Sequence, residues 1–334
     1  MFPLRPLLLA GLVLAGAARL AADAPPPLAA PPPLAAPKPS GPATAPPAAP
    51  SFVPPARDPT GLVIDLPATA TADLPADVIA QATARLKDLV ARQNALLTAA
   101  EKAGADMDNV KRDIQTLLFD YDSYLRTYPT FAPGYVTYGL LLGRVGMRRE
   151  AAAILLKANQ LDANLPLVKN QLGNYLAEQG EPIEAVNYYL AAVRLAPNEP
   201  FYHYQLGRLL TEARDDFLKS GQWTAAQVDQ TMHNAFKHAT DLAPDNIVYA
   251  YAYAFSFYDL ATPNWDEALK AWGALEDRVD PGLQKQTIRL HAANILIKQQ
   301  KYDHARVLLN TVTDVQLQPE KQKLLDQLPA QPGS

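Results

Sequence analysis

The residues that could do chemistry in this chain are few and poorly spaced for it. Of its five histidines, His233 and His238 are nearest in sequence, in the segment "HNAFKH". On a helix that spacing points two imidazoles in different directions, whereas a shared metal needs an i, i+4 pair. Asp215 and Asp216 are adjacent, and neighbours on a helix do not face each other as an acid–base pair must. The sequence has no G-x-S-x-G nucleophile turn, no G-x-x-x-x-G-K-[ST] loop and no G-x-G-x-x-G loop. Cysteine is absent, which removes thiolate nucleophiles and thiolate metal sites. We therefore expect no catalytic residues, no cofactor and no metal. What remains is recognition chemistry. Asn170 and Asn174, one helical turn apart, are placed to hydrogen-bond a bound backbone or to be ordinary solvated amides. The stretch "YAYAYAFSFY" at 249–258 is the densest aromatic cluster of the chain.

Composition narrows the partner. A net charge of −4 and a pI near 5.8 leave no basic field for nucleic acid or an anionic lipid surface. The 334 residues are 49% hydrophobic, ample for a sizeable core. The opening "MFPLRPLLLAGLVLAGAARLAAD" sets an early arginine before an apolar run from Leu7 to Ala18 and then small residues. This is the layout of a signal peptide over 1–22, with cleavage after Ala22. The run is shorter than the roughly 20 residues of a membrane span, so a membrane role arises only if the segment stays uncleaved. Export to the periplasm or cell envelope is the expectation. Residues 23–66 carry "APPPLAAPPPLAAP" and related text, which reads as a disordered, polyproline-like linker. Extended at about 3.1 Å per residue, its proline-rich part spans on the order of 100 Å.

After the linker the text becomes helical. The stretches 75–102 and 107–128 carry apolar residues along helical stripes. Beyond them the chain repeats itself. "YVTYGLLLGRVGMRREAAAILLKANQLDAN" at 135–164 aligns without a gap with "KNQLGNYLAEQGEPIEAVNYYLAAVRLAPN" at 169–198, an offset of 34 residues. Gly139 falls on Gly173, Gly146 on Gly180, Ala151 on Ala185 and Ala158 on Ala192. A third copy brings Leu206 and Gly207, then Ala239, Leu242 and Pro244. "PNWDEALKAWGALEDR" and "QKYDHARVLLNTV" supply second helices of two further units, with Ala268 and Ala305 at the small position.

These residues resemble the tetratricopeptide repeat family, whose unit is a helical hairpin of about 34 residues. The resemblance implies an all-α fold, an α-solenoid of tetratricopeptide-like hairpins with flanking capping helices. On this reading 67–131 holds N-terminal helices, 132–313 about five repeats, and 314–334 a capping helix and tail. The third repeat is longer by 13 residues, 7 before Gly221 and 6 after it. Both additions are near two helical turns, so we expect an elongated hairpin whose tip, with Phe217 and Trp223, projects. "TAAQ" at 224–227 reads as a capping box.

The resemblance also implies a concave groove lined by first helices. It places Asn170, Asn174 and Glu178 there from the second repeat, and Tyr204, Arg208 and Glu212 from the third. A carboxylate-clamping subset of the family needs lysine where Asn170 stands, so that mode is not supported. The aromatic stretch falls on the first helix of the fourth hairpin. Its strand-like alternation then resolves into two helical stripes: Tyr249, Tyr253 and Phe257 inside the stack, and Tyr251, Phe255 and Tyr258 toward the groove. Whether the second stripe contacts a ligand or packs on the next hairpin stays open. The function implied is a non-enzymatic scaffold of the cell envelope that binds a peptide or partner helix. The alternative is a glycan-binding module that stacks sugars on those rings.

Overall fold

The computed structural model describes residues 74–100 and 106–329. The expected signal peptide, the proline-rich linker and the last five residues of the tail lie outside the described residues. Among those described the structure is all-helical with no strand. The order is α1 (Ala76–Ala100), α2 (Met107–Thr127), α3 (Ala132–Arg144), α4 (Arg148–Leu161), α5 (Pro166–Glu178), α6 (Pro182–Leu195) and α7 (Pro200–Glu212). It continues with α8 (Arg214–Lys219), α9 (Ala225–Leu242), α10 (Ile247–Ser256), α11 (Trp265–Glu276), α12 (Leu283–Lys298), α13 (Tyr302–Asn310) and α14 (Gln318–Leu325). Proline starts several of these helices, where its missing N–H costs nothing: Pro133, Pro182, Pro200 and Pro319 sit in first turns. The described chain divides into two compact units, one running to Val168 and one from Lys169.

In the first unit α1 pairs with α2, and α3 with α4. Tyr121 and Tyr124 on α2 are buried, and each hydroxyl finds a partner on α1: Gln93 Oε1 at 2.8 Å and the Ala82 carbonyl at 2.9 Å. Tyr121 also stacks on Tyr138 of α3, with centroids 5.2 Å apart. The α3–α4 turn runs through Gly146 at φ +87°, a left-handed geometry that glycine adopts without a side-chain clash.

The second unit repeats the hairpin. Gly173 of α5 meets the Tyr189 ring of α6, and Gly207 of α7 meets the Phe236 ring of α9. Then α10 pairs with α11, and α12 with α13. Leu324 of α14 and Leu328 just beyond it are buried with Leu290, Ala293, Leu309 and Val312, so this last helix covers apolar surface of the α12–α13 pair.

The third hairpin departs from the expected long projecting arm. First helix α7 keeps 13 residues, breaks at Ala213, and a separate six-residue α8 folds against α6 and α7. Only the second helix lengthens, α9 having 18 residues against 14 in α4 and α6. The cause is burial. Phe217 is fully enclosed in the core, and Trp223 packs edge-on against it at 5.4 Å, where a projecting tip would leave both in water. Arg214 fastens the break by a bidentate pair to the buried Asp229, at 2.6 and 2.9 Å. The capping box is present, with Thr224 and Gln227 bonding each other's backbone.

Two glycines test the crossing geometry with opposite signs. A Cβ on Gly207 would sit 2.6 Å from the enclosed Phe236 ring, whereas one on Gly273 in α11 meets nothing within 4 Å. Urea denaturation should show Gly207→Ala losing about 1–3 kcal/mol to overpacking. Gly273→Ala should gain about 0.5–1 kcal/mol from helix propensity. Shifts of the same sign would contradict the close-approach argument.

Candidate functional site

Within the second unit, successive first helices touch one another along one face. Gln205 of α7 donates to Asn174 of α5 at 3.3 Å. Tyr204 of α7 lies against Tyr249 of α10 at 4.9 Å, and the α10 rings meet His291 of α12. The residues that the repeat register assigns to binding can be compared one by one with this face.

Asn170 is not on it. Its side chain is 0% exposed, and neither amide atom has a hydrogen-bond partner, so the expectation of a groove-facing amide is corrected. Asn174 is half-buried and already engaged. Its Oδ1 accepts from the Tyr189 hydroxyl at 2.5 Å as well as from Gln205, tying α5, α6 and α7 together. Burial pushes the Tyr189 phenol up to about 12, so it stays a donor at neutral pH. Tyr204 is half-buried between Phe236 and Tyr249. Arg208 is exposed and pairs loosely with Glu212 one turn on, at 3.4 Å; such a surface pair adds little stability and leaves the guanidinium accessible.

On α10 both aromatic stripes have work inside the stack. Tyr253 and Phe257 are buried and flank His233 of α9, with centroids at 5.2 and 4.5 Å. The Tyr253 hydroxyl donates to Glu267 of α11 at 2.7 Å. On the other side Tyr251, Phe255 and Tyr258 are half-buried around His291, which itself stacks on Trp272 at 4.3 Å and 10°. Tyr251 sets its edge on Trp272 at 5.2 Å, and the Tyr258 hydroxyl donates to the His291 carbonyl at 3.2 Å. Burial raises the Tyr251 phenol to about 12 and pushes the Tyr258 phenol up as well. These rings therefore close the junction between the fourth and fifth hairpins while keeping partly exposed edges.

The fold also makes pairings that sequence distance concealed. His233 Nδ1 lies 2.8 Å from Ser256 Oγ, the separation of a base and a nucleophile. Ser256 is buried and gives its proton to the Tyr253 carbonyl at 2.7 Å, so His233 donates to it and the pair is structural. His203 and His238 come together at 5.3 Å, with His203 Nε2 donating to the Pro197 carbonyl at 2.7 Å. Among the described residues no group of three or more histidines and carboxylates is placed to hold a metal ion. In the first unit a cleft of about 460 Å³ between α1 and α2 is lined by Arg85, Asp88, Arg92 and Asp120. There Arg92 and Asp120 neutralise each other at 2.7 Å.

Comparison with known proteins bears on this arrangement. Residues 168–199 match the family model for the tetratricopeptide repeat. The crystal structure of YrrB, described as a TPR protein with an unusual peptide-binding site, is 18% identical. It aligns with 62% of this chain and 96% of its own, at a TM-score of 0.50. PilF of Pseudomonas aeruginosa is 16% identical over 73% of this chain and 99% of its own, at 0.48. MamA from Desulfovibrio magneticus RS-1 is 18% identical over 54% and 92%, at 0.42. No curated protein sequence matches this chain. The likeness to YrrB shows the fold, an α-solenoid of tetratricopeptide-like hairpins.

Asn174 should prove to be a structural fastener. Asn174→Ala leaves the Tyr189 hydroxyl and the Gln205 amide without their acceptor, at a cost of about 1–3 kcal/mol by chemical denaturation. In a Tyr189→Phe background the same change should cost less, and a coupling energy near zero would remove the hydrogen bond from the account.

Proposed function

We propose that this chain is a non-enzymatic interaction scaffold whose second unit binds a peptide or partner helix along its first-helix face. The observation that carries the reading is the unbroken run of first-helix contacts from α5 to α12, with Arg208 exposed upon it and the edges of Tyr204, Tyr251, Phe255 and Tyr258 beside it. An extended segment lying across such a run meets polar groups and ring edges at successive helices, which is how stacked hairpins recognise chains. The peptide-binding site named for YrrB belongs to a protein of the same fold and supports this use of it. The leader-like residues 1–22 support export, and we assign the scaffold to the cell envelope.

Site-specific photocrosslinking in the full chain tests this. A crosslinker in place of Arg208 should yield discrete protein adducts in native cells. One in place of the exposed Asn187, on the second helix α6, should not. Tyr204→Ala should abolish the adducts from position 208 at a temperature well below that variant's own Tm, where its helical circular dichroism matches the parent's. Equal labelling from both positions, or no protein adduct together with tight binding of isolated cell-wall glycan, would sink the scaffold reading in favour of a sugar-binding module.

A further inference from the structure

All five histidines of the chain lie in the second unit, and the structure closes three of them off from water: His203, His233 and His291. Two of the three occupy equivalent places on either side of one element. His233 of α9 is wedged between Tyr253 and Phe257, and its Nδ1 donates to Ser256, so it forms the junction of the third hairpin with α10. His291 of α12 is enclosed by Tyr251 and Phe255 of α10, by Tyr258 in the turn that follows it and by Trp272 of α11, so it forms the junction of the fourth hairpin with the fifth. The fourth hairpin is thus held at both sides by a buried imidazole set among aromatic rings.

We propose that these two junctions are an acid-sensitive latch, in which protonation of His233 and His291 loosens the α10–α11 hairpin from its neighbours. Around His291 the neutral ring satisfies the hydrogen bonds at both nitrogens. Tyr258 gives its proton to the His291 carbonyl, so its oxygen is free to accept from His291 Nδ1–H at 3.5 Å. His291 Nε2 is then the acceptor facing the Tyr251 hydroxyl at 3.4 Å. A proton on Nε2 reverses that bond, so that Tyr251 must turn its O–H away and accept, and it leaves the charge enclosed among aromatic rings. Around His291 the groups that face it are the two tyrosine hydroxyls and the Trp272 indole. The indole offers a cation a favourable face, yet burial alone pushes this imidazole down to about 4.

Around His233 the facing groups are Tyr253 and Ser256 of α10, Phe257 at its C-cap, the Glu267 carboxylate of α11 and Lys237 of its own helix. Burial is the largest influence and lowers its pKa, Glu267 opposes the change and Lys237 reinforces it. Both rings therefore take a proton less readily when the junction is closed than when it opens and the ordinary value near 6.5 applies. The closed form loses ground as pH falls from about 6.5 and, for His291, goes on losing it down to about 4. The latch rests on junction geometry alone. Its bearing on ligand binding, through release of Tyr251, Phe255 and Tyr258, rests on the scaffold reading.

Hydrogen exchange on the full chain, corrected for intrinsic rates, tests the latch without any partner. The first unit contains no histidine and serves as the internal reference. Between pH 7 and pH 5, protection in α10–α12 should fall roughly 20-fold more than in α1–α4, the factor given by His291 alone. His233→Asn combined with His291→Gln should abolish that difference. Because the double variant replaces two core rings, imidazole NMR titration of the unsubstituted protein supplies the second measurement. His233 and His291 should titrate below the ordinary histidine value near 6.5. Equal loss of protection in both units, or titration of both rings at about 6.5, would overturn the proposal.

Discussion

A two-helix hairpin has one apolar face too many, and everything in this structure follows from how that face is covered. Each pair of helices closes on itself through a small residue, as where Gly207 lets the Phe236 ring lie against its backbone. The outer face of the pair then depends on the next hairpin, since water is the only alternative. Trp272 shows the dependence plainly. It is wholly buried, yet the ring that covers its indole belongs to α12 of the following hairpin. The outer face of the α12–α13 pair is covered by α14, whose Leu324 is buried against it.

That requirement makes the junctions dense and chemically selective. A polar group placed there must be neutral, or paired, or excluded. Tyr253 reaches Glu267, Tyr189 reaches Asn174, and Arg214 spans both oxygens of Asp229. Asp259 lies near that last pair, and burial together with the Asp229 charge holds its carboxyl above the usual range. Histidine suits such junctions because its unperturbed ring is neutral above pH 6.5 and offers both a donor and an acceptor. The same property makes histidine the side chain here whose comfort depends most on pH between 4 and 7.

The hairpins were legible in the sequence because they are fixed by backbone needs. A helix crossing demands a small residue and a left-handed turn favours glycine, so Gly139, Gly173, Gly146 and Gly180 announce themselves at a constant interval. The break at Ala213 was not legible. "TEARDDFLKS" contains no glycine or proline and would continue a helix on local grounds. Its course is decided by a tertiary choice, the burial of Phe217 and the pairing of Arg214 with Asp229. The register was likewise right about which helix Asn170 belongs to and wrong about its exposure, because a repeat position names a helix face and not the neighbours that cover it. The pairings His233–Ser256 and Tyr251–His291 span 23 and 40 residues, and no local pattern connects their members.

The face proposed for recognition is consequently made of residues already employed. Tyr204, Tyr251, Phe255 and Tyr258 spend most of their surface on neighbouring hairpins and present edges, while Arg208, Glu178 and Glu212 are exposed charges among the face residues named by the register. On the proposed reading, a ligand on this face would read the spacing between helices as much as it reads side chains. Its affinity would follow any change that alters hairpin stacking, including changes at buried positions that it never touches. A substitution at Trp272 or His291 and one at Arg208 would then weaken binding by different physical routes. The first changes where the ring edges stand, and the second removes a charge from an arrangement otherwise intact.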